Sequence, residues 1–244
     1  MSDEFSINDF LESVKHFHDI RNEDEYARYR SWEHCNKVFN KKHTELIEKR
    51  KNGSDLSEED YDLLALHLSF YLASWGMYRG SSMLLSTDYK IHIPIVKELM
   101  KEKYDNLWNI TYKDLNNEKN NIVGLIREIK ELYGDRPAIV QMIYKDKIVE
   151  KPPEISDILV TKILLGTLAC MPAYDTYFKE TIKKYKRGIS TPNAKSIEAL
   201  AEFYADNEEA LNNLLVEFEN DVEYPQMKLL DMGFFQYGMD RASD

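Results

Sequence analysis

The chain has 244 residues, and its 43 acidic against 32 basic side chains give a formal net charge of −11. Hydrophobic residues at 43% and aromatics at 12% supply enough apolar surface to exclude an intrinsically disordered chain. Two cysteines exclude a disulfide framework, and nine Gly with seven Pro exclude a collagen-like one.

The chain reads as a succession of helices with polar joints. Ser6 or Asn8 can cap a short first helix, whose Phe10, Leu11, Val14 and Phe17 recur three or four apart. A second helix is predicted from about Asp24 to Arg50. Its Tyr26, Tyr29, Trp32, Cys35 or Asn36, and Phe39 form an aromatic core stripe, and Lys51-Asn52-Gly53-Ser54 ends it. Ser57 followed by Asp60 resembles a capping box, with Glu58, Glu59 and Asp60 in the turn where the helix dipole favours acids. The helix it opens, to about Met77, is apolar on nearly every side through Leu63, Leu64, Leu66, Leu68, Phe70, Tyr71, Leu72 and Trp75. Such a helix, over 57–77, is predicted to lie buried at the centre of the domain.

Gly76 and Gly80 bracket Met77-Tyr78-Arg79 and predict a bend. Pro94 suits the first turn of a helix to about Trp108, and another runs from about Asp114 to Tyr133, before Gly134 and Pro137. Ile139 to Pro153 reads as a short hairpin or an extended joint, the place to divide the chain if it holds two subdomains. Ser156 or Asp157 caps a helix through Leu168. Pro172 starts the next, which carries Tyr174, Asp175, Tyr177 and Phe178 and ends in the cations Lys183 to Arg187 before Gly188. Thr191-Pro192, Asn207 and Pro225 open three more, to about Ala205, Phe218 and Phe235. The expectation is an all-α, single globular domain over 1–244, with about nine or ten helices around the 57–77 segment.

The N-terminus shows no basic segment followed by an apolar one, so no secretory signal is predicted. The longest apolar stretch, Leu63 to Met77, is interrupted by His67, Ser69 and Ser74 and falls short of the roughly 18–20 residues of a bilayer span. A soluble cytoplasmic protein is predicted, without a membrane partner. The acidic total repels polyanions, so a nucleic-acid partner would need a local basic groove.

Polar residues embedded in apolar segments are the anomaly: His67, Arg79, Lys162, Asp175, Lys228 and Asp231. An unpaired buried charge is expensive, so these groups must pair or line a cleft. Lys228 and Asp231 stand three apart on one helix face and can pair. Two readings therefore stand side by side: ion pairs tying helix ends together, or a binding cleft of Arg79, Ser81, Tyr174, Asp175, Lys228 and Asp231. His67 by itself reads as a hydrogen-bonded core histidine. There is no G-x-S-x-G elbow, P-loop, G-x-G-x-x-G, H-E-x-x-H or C-x-x-C. His16 and His18, two apart, face different sides of a helix, so neither a metal site nor a cofactor is predicted.

Three resemblances accompany this reading. Arg28 and His34, separated by five residues, resemble the R-x4-6-H signature of the helical HEPN ribonucleases. That likeness implies that Arg28 and His34 act on RNA at a dimer interface, although Tyr29 replaces the usual polar residue after the Arg. Lys162 with Pro172-Ala173-Tyr174-Asp175-Thr176-Tyr177 resembles the helix-hairpin-helix DNA glycosylases over a short part of the chain. It implies Lys162 as nucleophile and Asp175 as catalytic carboxylate, but no Gly-x-Gly hairpin precedes Lys162 and the interval between the two is short. Over most of the chain, the segments His67 to Ser82, Pro172 to Phe178 and Tyr224 to Met232 resemble a group of uncharacterised bacterial helical proteins, which implies a bacterial or phage source and no particular activity.

Two function classes follow. The leading one is a non-catalytic binding protein with a polar cleft near Arg79, Asp175 and Asp231 for a small ligand or a protein partner, recognisable by an apolar cleft or surface patch without a basic rim. The alternative is a nucleic-acid-acting enzyme, recognisable by a positive groove that holds Lys162 or the run Lys183 to Arg187. The first leads because no catalytic constellation has the spacing its chemistry requires.

Overall fold

Local capping decides where several helices begin. Ser6 accepts the amide of Asp9, Ser156 that of Leu159, and Asn193 that of Ser196, each from extended backbone. Ser57 and Asp60 form a complete reciprocal box, and the Lys42 ammonium and the Ser57 amide hold the Asp60 carboxyl down at about 2. The computed structural model describes residues 5–80, 82–135, 140–144, 147–151 and 155–242. Among them run ten α-helices and one antiparallel hairpin, so the architecture is all-α apart from that hairpin. In chain order these are α1 (Ile7–Glu23), α2 (Arg30–Lys51), α3 (Glu58–Ser74), α4 (Ile93–Leu99), α5 (Tyr112–Gly134), β1 (Val140–Tyr144) and β2 (Lys147–Lys151). They continue with α6 (Asp157–Gly166), α7 (Thr176–Tyr185), α8 (Ala194–Asp206), α9 (Glu208–Phe218) and α10 (Gln226–Ala242). No described helix is long and apolar enough to cross a membrane.

The predicted elements recur with four instructive shifts. The second helix starts at Arg30 rather than Asp24, because the Asp24 carboxylate accepts the Tyr26 amide and holds 24–29 in turns; Tyr26 points outward, 85% exposed. The helix opened by Pro94 stops at Leu99. Glu98 there draws in Lys101, Lys103 and the Tyr104 hydroxyl, and the chain tightens into a 3-10 segment, Glu102–Leu107. The helix after Pro172 begins later, at Thr176, since the Asp175 side chain caps it by accepting the Phe178 amide. Tyr174 and Asp175 therefore precede that helix. The ambiguous 139–153 stretch contains the hairpin, in the register Val140 with Lys151 to Tyr144 with Lys147; residues 139, 145–146 and 152–153 lie outside the described residues.

The expected central helix requires a larger correction. α3 buries Tyr61, Leu64, Ala65, Leu68, Tyr71 and Leu72, one stripe at helical spacing, against α2, α4 and α6. Its other flank is open to solvent, with Leu63 46%, Leu66 47% and Phe70 58% exposed. The water-excluded elements are instead α6, buried continuously from Leu159 to Gly166, and α10, buried from Met227 to Tyr237. α6 contacts α2, α3 and α5, while α10 contacts α1, α7 and α9. The pairings α1 with α10 and α5 with α8 join residues on either side of the hairpin into one core. α10 approaches α1 so closely that a Cβ at Gly233 would stand 2.2 Å from the Phe10 ring, itself fully buried against Phe203 and Phe234.

Candidate functional site

The placement of the embedded charges follows from this core. Lys162 sits on α6, and Lys228 and Asp231 sit on α10, the two helices with no solvent face. Lys228 Nζ lies 2.8 Å from Asp231 Oδ2, both side chains under 10% exposed, and the ammonium also rests over the Phe17 ring at 4.4 Å. The second Asp231 oxygen accepts the Ala173 amide at 3.0 Å. Burial pulls the Lys228 ammonium below its usual value, against the pull of Asp231. This closed pair ties α10 to the 171–175 segment, so Lys228 and Asp231 behave as the ion-pair reading expected and do not line a cleft. Tyr174 is likewise core: fully buried, it donates its hydroxyl to Ser196 and its amide to Thr161.

Arg79, Lys162 and Asp175 do converge, and Arg28 joins them, around a cleft of about 310 Å³. Its wall also includes Trp75, Ser82, Ser156, Tyr177 and Phe235. Ser81 lies outside the described residues. Gly76 explains how the chain enters this wall. With φ +71° it closes α3 in a Schellman motif, the Met77 amide donating to Leu72 O and the Gly76 amide to Ala73 O. The turn leaves Trp75 on the cleft and returns Arg79 alongside it; a Cβ on Gly76 would meet the Arg79 guanidinium at 3.0 Å.

Trp75 organises the charges. Lys162 Nζ stands 4.9 Å and Arg28 Cζ 5.0 Å from its ring centroid, a cation–π arrangement that positions both cations. Holding a cation by a ring face leaves its N–H donors unspent. Among the described residues neither Arg28 nor Arg79 is in an ion pair, and both are exposed at the rim. Lys162 meets Asp175 Oδ2 at 3.5 Å, with side-chain exposures of 7% and 15%. Charge-assisted N–H···O bonds run at about 2.7–2.9 Å, so this contact is loose where the Lys228–Asp231 pair is tight. Burial raises the Asp175 carboxyl above the usual carboxylate range, opposed by Lys162 and the Phe178 amide. The lining thus carries three cations and one carboxyl whose charged form burial disfavours.

The remaining sequence candidates fall elsewhere. His34 is not on the cleft: its Nε2 lies 2.9 Å from Nδ1 of His67, in a pair between α2 and α3. Arg28 and His34 therefore belong to different surroundings, and His67 is a partly exposed partner of His34 rather than a core histidine. In the basic run, Lys183 pairs with Glu180 and Lys186 with Glu202, so two of its four cations are neutralised, and none of the four lines the cleft. A larger groove, about 680 Å³, runs past Glu33, Asn36, Asn40, Asn109 and Asp221, but these groups satisfy one another. Arg21 clamps Glu33 and Asp221, and the amides of Asn36, Asn40 and Asn109 are linked in a chain. No three His, Cys, Asp or Glu among the described residues are grouped as a metal ion requires.

The cleft residues missed in the sequence are Trp75, Tyr177 and Phe235, with Arg28 taken in a different role. A tryptophan followed directly by glycine at the end of an apolar helix was the available signal. Comparison with protein-family models, with curated proteins and with solved structures gives no match.

Proposed function

We propose that the chain is a binding protein whose cleft takes a small anionic ligand bearing a phosphate or carboxylate group. The observation that carries this reading is that Arg28 is positioned by the Trp75 ring rather than by a carboxylate, that Lys162 rests on the same ring with Asp175 loosely at 3.5 Å, and that Arg79 beside them is in no ion pair among the described residues. Their donors can therefore converge on an oxyanion, while Trp75, Tyr177 and Phe235 offer apolar wall to the rest of the ligand. The cleft volume is at the low end of the roughly 300–1,000 Å³ usual for ligand pockets, which suits a small molecule. The expectation of a ligand cleft without a basic rim is revised here, since Arg28 and Arg79 form one.

Calorimetric titration with glycerol phosphate and with glycolate tests the reading. Wild type should bind at least one of them, and Arg79→Gln should weaken binding about tenfold or more, the loss of one charge-assisted bond at roughly 1.5–3 kcal/mol. Absence of binding to wild type, or equal binding by R79Q and the doubly substituted R28Q/R79Q, would sink it.

The basic rim and the Lys162–Asp175 contact also favour a second reading, an enzyme that acts on nucleic acid at this cleft. The net charge of −11 weighs against it. A single-stranded oligonucleotide that binds with a steep salt dependence, and is displaced by R28Q/R79Q, would reverse the order of the two.

A further inference from the structure

We propose that Lys162 captures the carbonyl carbon of an anionic aldehyde or 2-oxo acid as a reversible imine. The inference rests on the anion-binding reading and adds a covalent step to it. Three features of the site support it.

First, Lys162 presents a primary amine to the cleft from α6, a helix buried continuously from Leu159 to Gly166, so its backbone is fixed while Nζ borders the cavity. Second, the amine is under-coordinated. An ammonium carries three donors, yet among the described residues Nζ has one carboxylate oxygen at 3.5 Å and the Trp75 ring face at 4.9 Å. The chain also contains its own control, since the buried Lys228 is locked at 2.8 Å to Asp231, which has the Ala173 amide on its other oxygen. A structural pair closes like that one; the looser pair leaves an amine able to leave its partner. Third, Asp175 can act as the proton carrier. One of its oxygens is fixed by the Phe178 amide, which orients the carboxyl, and the other faces Lys162. Arg28 and Arg79 would hold the anionic group and so direct the adjoining carbonyl carbon towards Nζ.

The step balances without any redox partner. The Lys162 ammonium gives a proton to Asp175, and the amine lone pair attacks the carbonyl carbon, forming the C–N bond of a carbinolamine. A second proton from that nitrogen is taken up by the carbinolamine oxygen. Asp175 then returns its proton to the hydroxyl, which departs as water, and the nitrogen lone pair completes the iminium. Hydrolysis reverses each event.

The test treats the intact native chain with glycolaldehyde phosphate or glyoxylate plus cyanoborohydride, followed by intact mass and peptide mapping. The expected result is one reduced adduct per chain, on Lys162, suppressed by excess glycerol phosphate or glycolate. Adduct formation should vanish in Lys162→Arg, which keeps the cation, and slow by about tenfold or more in Asp175→Asn, the loss of general acid–base assistance being worth ~10²–10⁴. Label scattered over surface lysines, or unchanged in K162R, overturns the imine while R79Q-sensitive binding of glycerol phosphate leaves the anion site standing. Absence of both labelling and binding overturns the two together. Mapping on wild type decides the matter even if a variant folds poorly.

Discussion

Replacing Lys228 by Met isolates the buried charge that the structure assigns to stability. The substitution keeps the volume and apolar contacts over Phe17 and Trp32 but leaves Asp231, 6% exposed, with the Ala173 amide as its one hydrogen-bond partner among the described residues. Breaking a buried pair on one side costs about 3–5 kcal/mol, because a charge is left without its counterion. At about 2–4 °C per kcal/mol for a domain of this size, the thermal midpoint should fall by about 6–20 °C. Changing Asp231 to Leu as well should recover part of that loss. Recovery stays incomplete, since the Ala173 N–H then lacks an acceptor at a cost of about 1–3 kcal/mol. Calorimetry or circular dichroism of K228M, D231L and the double variant completes the cycle. A K228M cost below about 1 kcal/mol would show that the pair is hydrated, and the assignment of α10 as water-excluded would fail with it. Lys162→Met offers the contrast: its partner keeps the Phe178 amide and borders a cleft, so the midpoint should move less while anion binding is lost.

Two further outcomes follow from packing and burial. Gly233→Ala should destabilise by about 1–3 kcal/mol or more, since a Cβ there meets a Phe10 ring that Phe203 and Phe234 prevent from moving; an unchanged denaturation midpoint would refute the close approach of α1 and α10. Burial lowers both His18, beside Asp221, Tyr224 and Arg21, and His43, which faces Asp105 and Arg50 and stacks on Trp108. Between their folded values and the unfolded 6.5, the unfolded chain holds protons that the folded chain does not, so stability is fully present above 6.5 and falls as pH drops through that window. Unfolding midpoints measured from about pH 8 to 5 should decline, and the slope should flatten in a H18N/H43N variant; a slope that rises towards acid would contradict the burial of these rings.

Much of the helix order was legible because its signals are local. Ser57 with Asp60, and Ser156 before an apolar run, mark helix starts within four residues of chain. Asp24 and Asp175 misled because a short carboxylate can satisfy a nearby amide in more than one frame, and which amide it takes is settled by the surrounding packing. The misplacement of α3 has a different cause. Hydropathy around a helix measures how much surface could be buried, whereas actual burial depends on how many neighbours arrive, and α3 receives them on one side. The reverse holds for α10, whose Lys228, Asp231 and Gln236 interrupt an apolar run and yet lie inside, because neighbours arrive on every side of 227–237. For the site, embedded charge was the useful signal and found Arg79, Lys162 and Asp175. It could not distinguish the closed pair on α10 from the open one on α6, because the distinction lies in a 2.8 Å and a 3.5 Å separation fixed by tertiary packing.

Arg28 and Arg79, in no ion pair among the described residues, lie at the cleft in a chain with an acidic excess. With 43 carboxylates for 32 cations, guanidinium groups have partners at hand: Arg21 takes two and Arg50, Arg127 and Arg241 one each, while among the described residues Arg30 and Arg187, away from the cleft, are in no ion pair. Arg28 and Arg79 instead share one rim with Lys162, where like charges repel and the Trp75 ring and the single Asp175 carboxyl offset only part of the cost. An oxyanion at that rim relieves the repulsion, and a ligand that binds only the folded chain must stabilise it, by about 2.7 kcal/mol at a hundredfold excess over Kd. The stabilisation should vanish in the R28Q/R79Q variant, and that variant without ligand should be about as stable as wild type, because relief of repulsion offsets the lost Arg28 contacts with the Trp75 and Tyr29 rings. A cleft of purely structural arginines would lose stability on the same change, so the size of this one difference separates a binding site from a scaffold.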